Sequence, residues 1–200
     1  MTPVLLLIAA YLIGSIPVGF LLVKLRTGGD LRKTGSGNIG ATNVLRTTGW
    51  TIAVVTLVLD IGKGFLAVWL TGRFTDGSAL WMSAAALAVM AGHAYPIFLR
   101  FQGGKAVASF IGAFLYLTPI PLLAALVVFV IAVSASRYIS LGSVLAAGTF
   151  PLGVWLILHP PLPILLASLI AGAFIVYRHR ANLQRIRNGN EHVFSFKRRK

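Results

Sequence analysis

Met1–Lys24 reads MTPVLLLIAAYLIGSIPVGFLLVK. No charged side chain falls between Pro3 and Val23. A helix rises about 1.5 Å per residue, so a run of this length reaches across roughly 30 Å of hydrocarbon. The stretch lacks the basic start of a secretory signal, and its apolar run is long. It is therefore expected to stay on the protein as a first membrane span.

The same criterion recurs along the chain. Seven segments meet it or approach it: Pro3–Val23, Trp50–Leu70, Ala79–Phe98, Val107–Leu117, Pro121–Ala135, Ile139–Leu158 and Leu162–Tyr177. The fourth and fifth are short and would have to tilt or lie half-buried. Pro119 and Pro121 force a turn between them, and the prolines within His159–Pro163 force a later one, because proline removes a donor and restricts its neighbour. Of 200 residues, 57% are hydrophobic and only 11% charged, where a soluble domain carries about a quarter charged residues. Mean hydropathy is +0.85. The fold class expected is all-α: a polytopic integral membrane helix bundle of about seven transmembrane helices. It would form a single membrane-embedded domain over 1–200, with 191–200 a disordered basic tail. There are no cysteines, hence no disulfide framework and no thiol nucleophile. No internal repeat is evident.

The net charge is +14. If the loops alternate sides, Lys24, Arg26, Arg32, Lys33, Arg46, Arg100, Lys105, Arg137 and the tail from Arg178 fall on one side. Arg73 falls on the other with Asp76. Positive charge marks the cytoplasmic side, so the N-terminus is expected outside and the C-terminus inside. The partner this basicity suits is the phospholipid bilayer. Nucleic acid is not expected, since few aromatics interleave with the charges.

Four polar stretches interrupt the apolar runs. GSGNIGATNVLR (Gly35–Arg46) has glycines that let backbone N–H groups close around an anion. Asn38 is expected to cap a short helix running through Arg46, with Asn38, Thr42 and Arg46 on one face. The reading favoured is a phosphate site rather than a plain turn. In GHAYPIFLRFQGGKAVAS (Gly92–Ser109), the run Gly103, Gly104, Lys105 opens an apolar helix and suits a terminal phosphate. It is not a Walker A loop, and His93 there is read first as a packed core residue. In SASRYISLGS (Ser134–Ser143), Ser136, Ser140 and Ser143 are expected on one helical face, as packing groups or as phosphate ligands with Arg137. In YRHRANLQRIRNGNEH, His179 and Asn182 are three residues apart on a helix leaving the membrane. Deep in the second run, Asp60 and Lys63 are expected to neutralise each other and orient the site.

Much familiar chemistry is hard to build from these residues. The chain has four carboxylates, and they are scattered. There is no ligand spacing for a metal and no GxSxG elbow. A HisXaa4Asp acyltransferase motif is absent too: five residues after the four histidines stand Phe98, Ile164, Gln184 and Lys197. No metal and no cofactor is expected. What remains is a set of anion cradles, which suits a reaction on bound phosphates stabilised electrostatically without a strong protein base. An already activated acyl phosphate fits that description.

GSGNIGATN, GHAYPIFLRFQGGKAVA, RYISLGS and YRHRANLQRI, in this order over nearly the whole chain, resemble the bacterial acyl-phosphate:glycerol-3-phosphate acyltransferase family, PlsY. The resemblance implies an integral enzyme of the bacterial inner membrane whose active site faces the cytoplasm. It implies acyl transfer from acyl phosphate to the 1-hydroxyl of glycerol 3-phosphate, giving lysophosphatidic acid and phosphate for phospholipid biosynthesis. Ser36, Asn38, Asn43 and Arg46 are then expected to bind the phosphate substrates, and Gly103, Gly104 and Lys105 to cradle the acyl phosphate. Arg137 with Ser143, and His179 with Asn182, would surround glycerol phosphate. Lys105, Arg46, Ser143 and His179 are the residues expected to carry catalysis, supported by His93, Asp60 and Lys63. The chain departs from the family at Ala106, where glycine is usual and where alanine is expected to keep a helical start. It departs again at Ala181, where an acidic residue is usual and a tail salt bridge is expected to be missing. A transporter of phosphate or an organophosphate, and a scaffold recruiting a partner through the basic tail, are the other readings.

Overall fold

The computed structural model describes residues 2–194. Among them all long regular structure is helical: α1 Pro3–Ser15, α2 Val18–Thr27, α3 Ala41–Thr48, α4 Trp50–Phe74, α5 Ala79–Ala94, α6 Val107–Leu117, α7 Pro119–Ser136, α8 Ile139–Leu158, α9 Leu162–Arg178 and α10 Arg180–Arg187. Each of the seven apolar segments is helical, so the all-helical membrane class holds. The first is broken into α1 and α2 at Ile16–Pro17. Not every segment is a full span, however. Five stretches are long and apolar enough to cross a membrane, or six if α9 and α10 count as one span bent by 49°. The 11 residues of α6 rise only about 16 Å, half of a typical hydrocarbon core.

The chain divides into two compact units, Met1–Leu117 and Thr118–Lys200. Lipid is as apolar as leucine, so helices in a membrane associate through close packing rather than hydrophobic drive. The glycines show where. In the first unit a Cβ on Gly14 would strike Val89 O, and one on Gly92 would strike Tyr11 O, which brings α1 and α5 into backbone contact. Gly64 meets Ser109 O and Gly112 meets Ile61 O, and these contacts draw the short α6 against α4. In the second unit Pro151 has no N–H to offer Ala147 O one turn back. Gly172 of α9 packs against that carbonyl. The outward faces are apolar and exposed, for example Leu57 and Val58 on α4 and Val127 and Ile131 on α7, as lipid contact requires.

The start of the tail expected over 191–200 is tied to the fold. Glu191 is buried, and Phe194 N donates to Arg137 O at 2.8 Å. Residues 195–200 lie outside the described residues.

Candidate active site

In the first unit the Gly35–Arg46 loop is built before it is decorated. A short 3-10 turn, Leu31–Lys33, starts where the Asp30 side chain accepts from Arg32 N. The Arg32 guanidinium also grips Asp30, with Nη2 2.6 Å from Oδ2. This side-chain hydrogen bond holds the Asp30 carboxyl down at about 2. Gly35 and Gly37 then turn at φ 57° and 72°, a region costly for other residues. The space a Gly35 Cβ would need is filled by Asn43 Oδ1. Ile39 and Val44 bury beside Phe20, Val23 and Leu31, which pins the loop to α2 and α4.

Two expectations for this loop are corrected. The helix starts at Ala41 with Gly40 as its cap residue. Asn38 lies outside it, where Oδ1 accepts from Gly40 N at 2.8 Å, so Asn38 shapes the approach to α3. Only Thr42 and Arg46 share the helical face. Asn43, expected to bind substrate, is 1% exposed and its amide serves the loop itself. Oδ1 accepts from Ser36 N at 2.8 Å, and Nδ2 faces Asn38 O at 2.8 Å, Thr34 O at 3.0 Å and Leu31 O at 3.3 Å. Both ends of that amide are already used. Ser36 and Arg46 are exposed at the loop surface.

The second loop wraps the end of α5. Gly104 N donates to His93 O at 3.1 Å. A Cβ on Gly103 would strike His93 O and Pro96 Cδ, and one on Gly104 would strike His93 Nε2. The glycine pair is therefore a close approach of backbone to His93. Lys105 follows, half-buried. Ala106 does not keep a helical start: its φ is +62° and α6 begins at Val107. Ala106 O still accepts from Phe110 N at 2.8 Å, so it closes the first turn of α6. Beneath this loop Lys63 Nζ lies 2.8 Å from Asp60 Oδ1, the pair expected from the sequence. His93 Nδ1 lies 3.6 Å from the same oxygen and the residue is buried, so the packed histidine expected here lies beside the charged pair.

In the second unit, Ser136, Ser140 and Ser143 do not share a helical face. The chain turns at Arg137, φ 61°, between α7 and α8. Ser136 Oγ accepts from Tyr138 N at 3.1 Å across that turn. Ser143 Oγ donates to Ile139 O at 2.9 Å, and Arg137 is exposed. His179 stands at the bend between α9 and α10 rather than within one helix with Asn182. Its Nδ1 is 2.8 Å from Ile175 O. A carbonyl only accepts, so Nδ1 is the donor of that bond.

Glu191 is the residue the sequence reading missed. Its Oε1 accepts from Ser140 Oγ at 2.9 Å and Asn182 Nδ2 at 2.7 Å. Its Oε2 accepts from Arg185 Nε at 2.8 Å. The tail thus has an ion pair despite Ala181. The available signal was that Glu191 is the sole glutamate, set among cations. Burial would push its carboxyl up, but the bonds from Asn182, Ser140 and Arg185 outweigh that and hold it below its ordinary value. A carboxylate so lowered stabilises the fold above its unfolded pKa, and that contribution is lost as pH falls through the folded value. Thermal unfolding between neutral pH and pH 3 is expected to show a falling Tm. Glu191→Gln should lower the neutral-pH Tm and flatten the slope, leaving the part due to Asp30. An unchanged slope would remove Glu191 from the acid response.

Together these features define a helical integral membrane protein whose glycine-shaped loops suit anions. Residues 4–189 match the family model described as glycerol-3-phosphate acyltransferase. The glycerol-3-phosphate acyltransferase of Geotalea daltonii is 47% identical over 96% of this chain and 97% of its own. That of Desulforamulus reducens is 46% identical over 95% and 94%. A crystal structure of PlsY, an integral membrane glycerol 3-phosphate acyltransferase, in its glycerol 3-phosphate form superposes with a TM-score of 0.92. It is 37% identical and matches over 98% of this chain and 96% of that one. The lysophosphatidic acid form of PlsY gives a TM-score of 0.89 at 36% identity. The chain belongs to the glycerol-3-phosphate acyltransferase family.

Proposed function

We propose that this chain transfers a fatty acyl group from acyl phosphate to the 1-hydroxyl of glycerol 3-phosphate, releasing lysophosphatidic acid and phosphate. The observation that carries the reading is the double-glycine turn folded tightly around His93, which sets Lys105 at the entrance of α6. Backbone N–H groups at a helix entrance and a point charge beside them favour a phosphate. In the reaction the hydroxyl oxygen bonds to the acyl carbon and the bond from that carbon to the phosphate oxygen breaks. The electron pair leaves with phosphate, and the hydroxyl proton passes to a phosphate oxygen. Gly103 and Gly104 shape the turn, Gly104 N being taken by His93 O, while Lys105 and the first-turn N–H groups of α6 hold the acyl phosphate and stabilise the charge that grows on the leaving phosphate. Ser36 and Arg46 offer further phosphate contacts on the first unit. Arg137, Ser143, His179 and Asn182 serve glycerol phosphate on the second.

The proposed setting is the bacterial inner membrane, with the N-terminus outside, the C-terminus in the cytoplasm and the site facing the cytoplasm. There the enzyme would feed phospholipid biosynthesis. A transporter would need polar groups leading across the membrane. Here the deep pair is closed on itself, since Lys63 Nζ meets Asp60 and donates to Ile16 O at 2.9 Å. Purified protein given acyl phosphate and glycerol 3-phosphate, with neither metal nor coenzyme A, is expected to yield phosphate and acylated product in equal amounts. Phosphate without acylated product would refute the acceptor. Neither product from folded protein would refute the transferase.

A further inference from the structure

We propose that Lys63, Asp60 and His93 form a buried brace that holds the Gly103–Lys105 turn in shape from inside the membrane. Asp60 and His93 act as positioning residues, not as groups that touch substrate. That the turn serves the acyl phosphate rests on the function proposed above; the brace itself rests on geometry.

Lys63 Nζ donates to Ile16 O, at the break between α1 and α2, and lies 2.8 Å from Asp60 Oδ1. That oxygen in turn lies 3.6 Å from His93 Nδ1. Asp60 and His93 are each no more than 4% exposed. An imidazole can flip about its last side-chain torsion. A carboxylate facing Nδ1 selects one orientation and points the opposite edge, Nε2, at Gly104. That edge occupies the space a Gly104 Cβ would need. His93 O accepts from Gly104 N, so ring and backbone grip the turn from both sides. Charges buried in a membrane are costly, and apolar residues of similar size pack at least as well. Three ionisable groups at this depth are therefore poorly explained by packing alone. Their chain of contacts ends at the turn, not at a lipid face. The cluster also reaches the α1–α2 break, and α2 carries Gly19, whose missing Cβ admits Ile39 O of the first loop. One brace thus ties the anchors of both loops.

The test compares the double variant Asp60→Asn/Lys63→Gln, which leaves no unpaired buried charge, with His93→Ala, which leaves the ion pair intact. Hydrogen exchange over Gly103–Val107 and the KM values for both substrates are measured on inserted, folded protein, with Lys105→Ala alongside. The brace predicts faster exchange confined to this segment in both variants. It also predicts a rise of about tenfold in the KM for acyl phosphate, as expected of a cradle displaced by a fraction of an ångström, with the KM for glycerol 3-phosphate little changed. Parental exchange in the segment overturns the brace, whatever the kinetics. Faster exchange throughout the unit overturns it too, because the cluster would then merely hold the fold. Faster exchange in the turn alone, with acyl-phosphate KM unchanged both there and in Lys105→Ala, upholds the brace and refutes the cradle.

Discussion

Lys105→Ala is expected to lower kcat/KM by about 10²–10³-fold, the usual loss when one charge-stabilising donor is removed from a transition state. Arg46→Ala should fall in the same range. Neither change should prevent insertion. Lys105 is only half-buried and Arg46 is exposed, so truncation opens no core cavity. The loops are shaped by other residues: Asn43 and the left-handed glycines in the first, His93 in the second. Steady-state rates with acyl phosphate and glycerol 3-phosphate, normalised to folded protein, decide the matter. The conservative swaps sharpen it. A guanidinium binds phosphate in a fixed fork and an ammonium as a compact point charge. Lys105→Arg and Arg46→Lys should therefore each retain only part of the rate. If both alanine variants turn over like the parent, the phosphate roles given to these loops are wrong.

The helices were largely legible because lipid leaves the sequence little freedom. An uncharged run of about 20 residues has few fates other than a span. Ile139–Leu158 and Val107–Leu117 were read with the bounds they have in the structure. The interruption at Ile16–Pro17 was not, since membrane helices tolerate proline when neighbours supply the missing bonds, as Lys63 does here for Ile16 O. The loops were legible in composition but not in role. An asparagine in a glycine-rich loop reads as a ligand whether its amide points outward or inward. Only the fold shows Asn43 turned toward Leu31, Thr34 and Asn38. The same limit hid the brace and Glu191. Asp60 and Lys63 sit one helical turn apart and announce themselves, whereas His93 joins them from another helix. Glu191 reaches back to Ser140 from a stretch that composition alone marks as tail. Ser136 was placed with Ser140 and Ser143 by counting along a helix, and the left-handed Arg137 between them is invisible to that count.

Gly104→Ala and Ala106→Gly exchange one methyl group two residues apart, and opposite outcomes are expected. At Gly104 the new Cβ would fall on His93 Nε2. The ring has little room to retreat, because its other nitrogen faces Asp60 and its own carbonyl holds Gly104 N. The turn must open instead, and a displacement near 1 Å at a substrate cradle costs on the order of 10²-fold in rate. At Ala106 the strain is already present. A left-handed alanine costs about 1–2 kcal/mol, which glycine relieves. Against this stand about 0.8 kcal/mol for the buried methyl group lost and about 0.4–1 kcal/mol for the freer unfolded chain. Ala106 is fully buried, so the methyl loss applies nearly in full. The terms almost cancel. Ala106→Gly should keep its unfolding free energy within about 1 kcal/mol of the parent and its rate within about twofold. Thermal unfolding and turnover on the two purified variants test both halves. Parental activity in Gly104→Ala would show that the close approach to His93 does not set the cradle. A large loss in Ala106→Gly would show that the buried methyl group, rather than the left-handed backbone, holds the entrance of α6 in place.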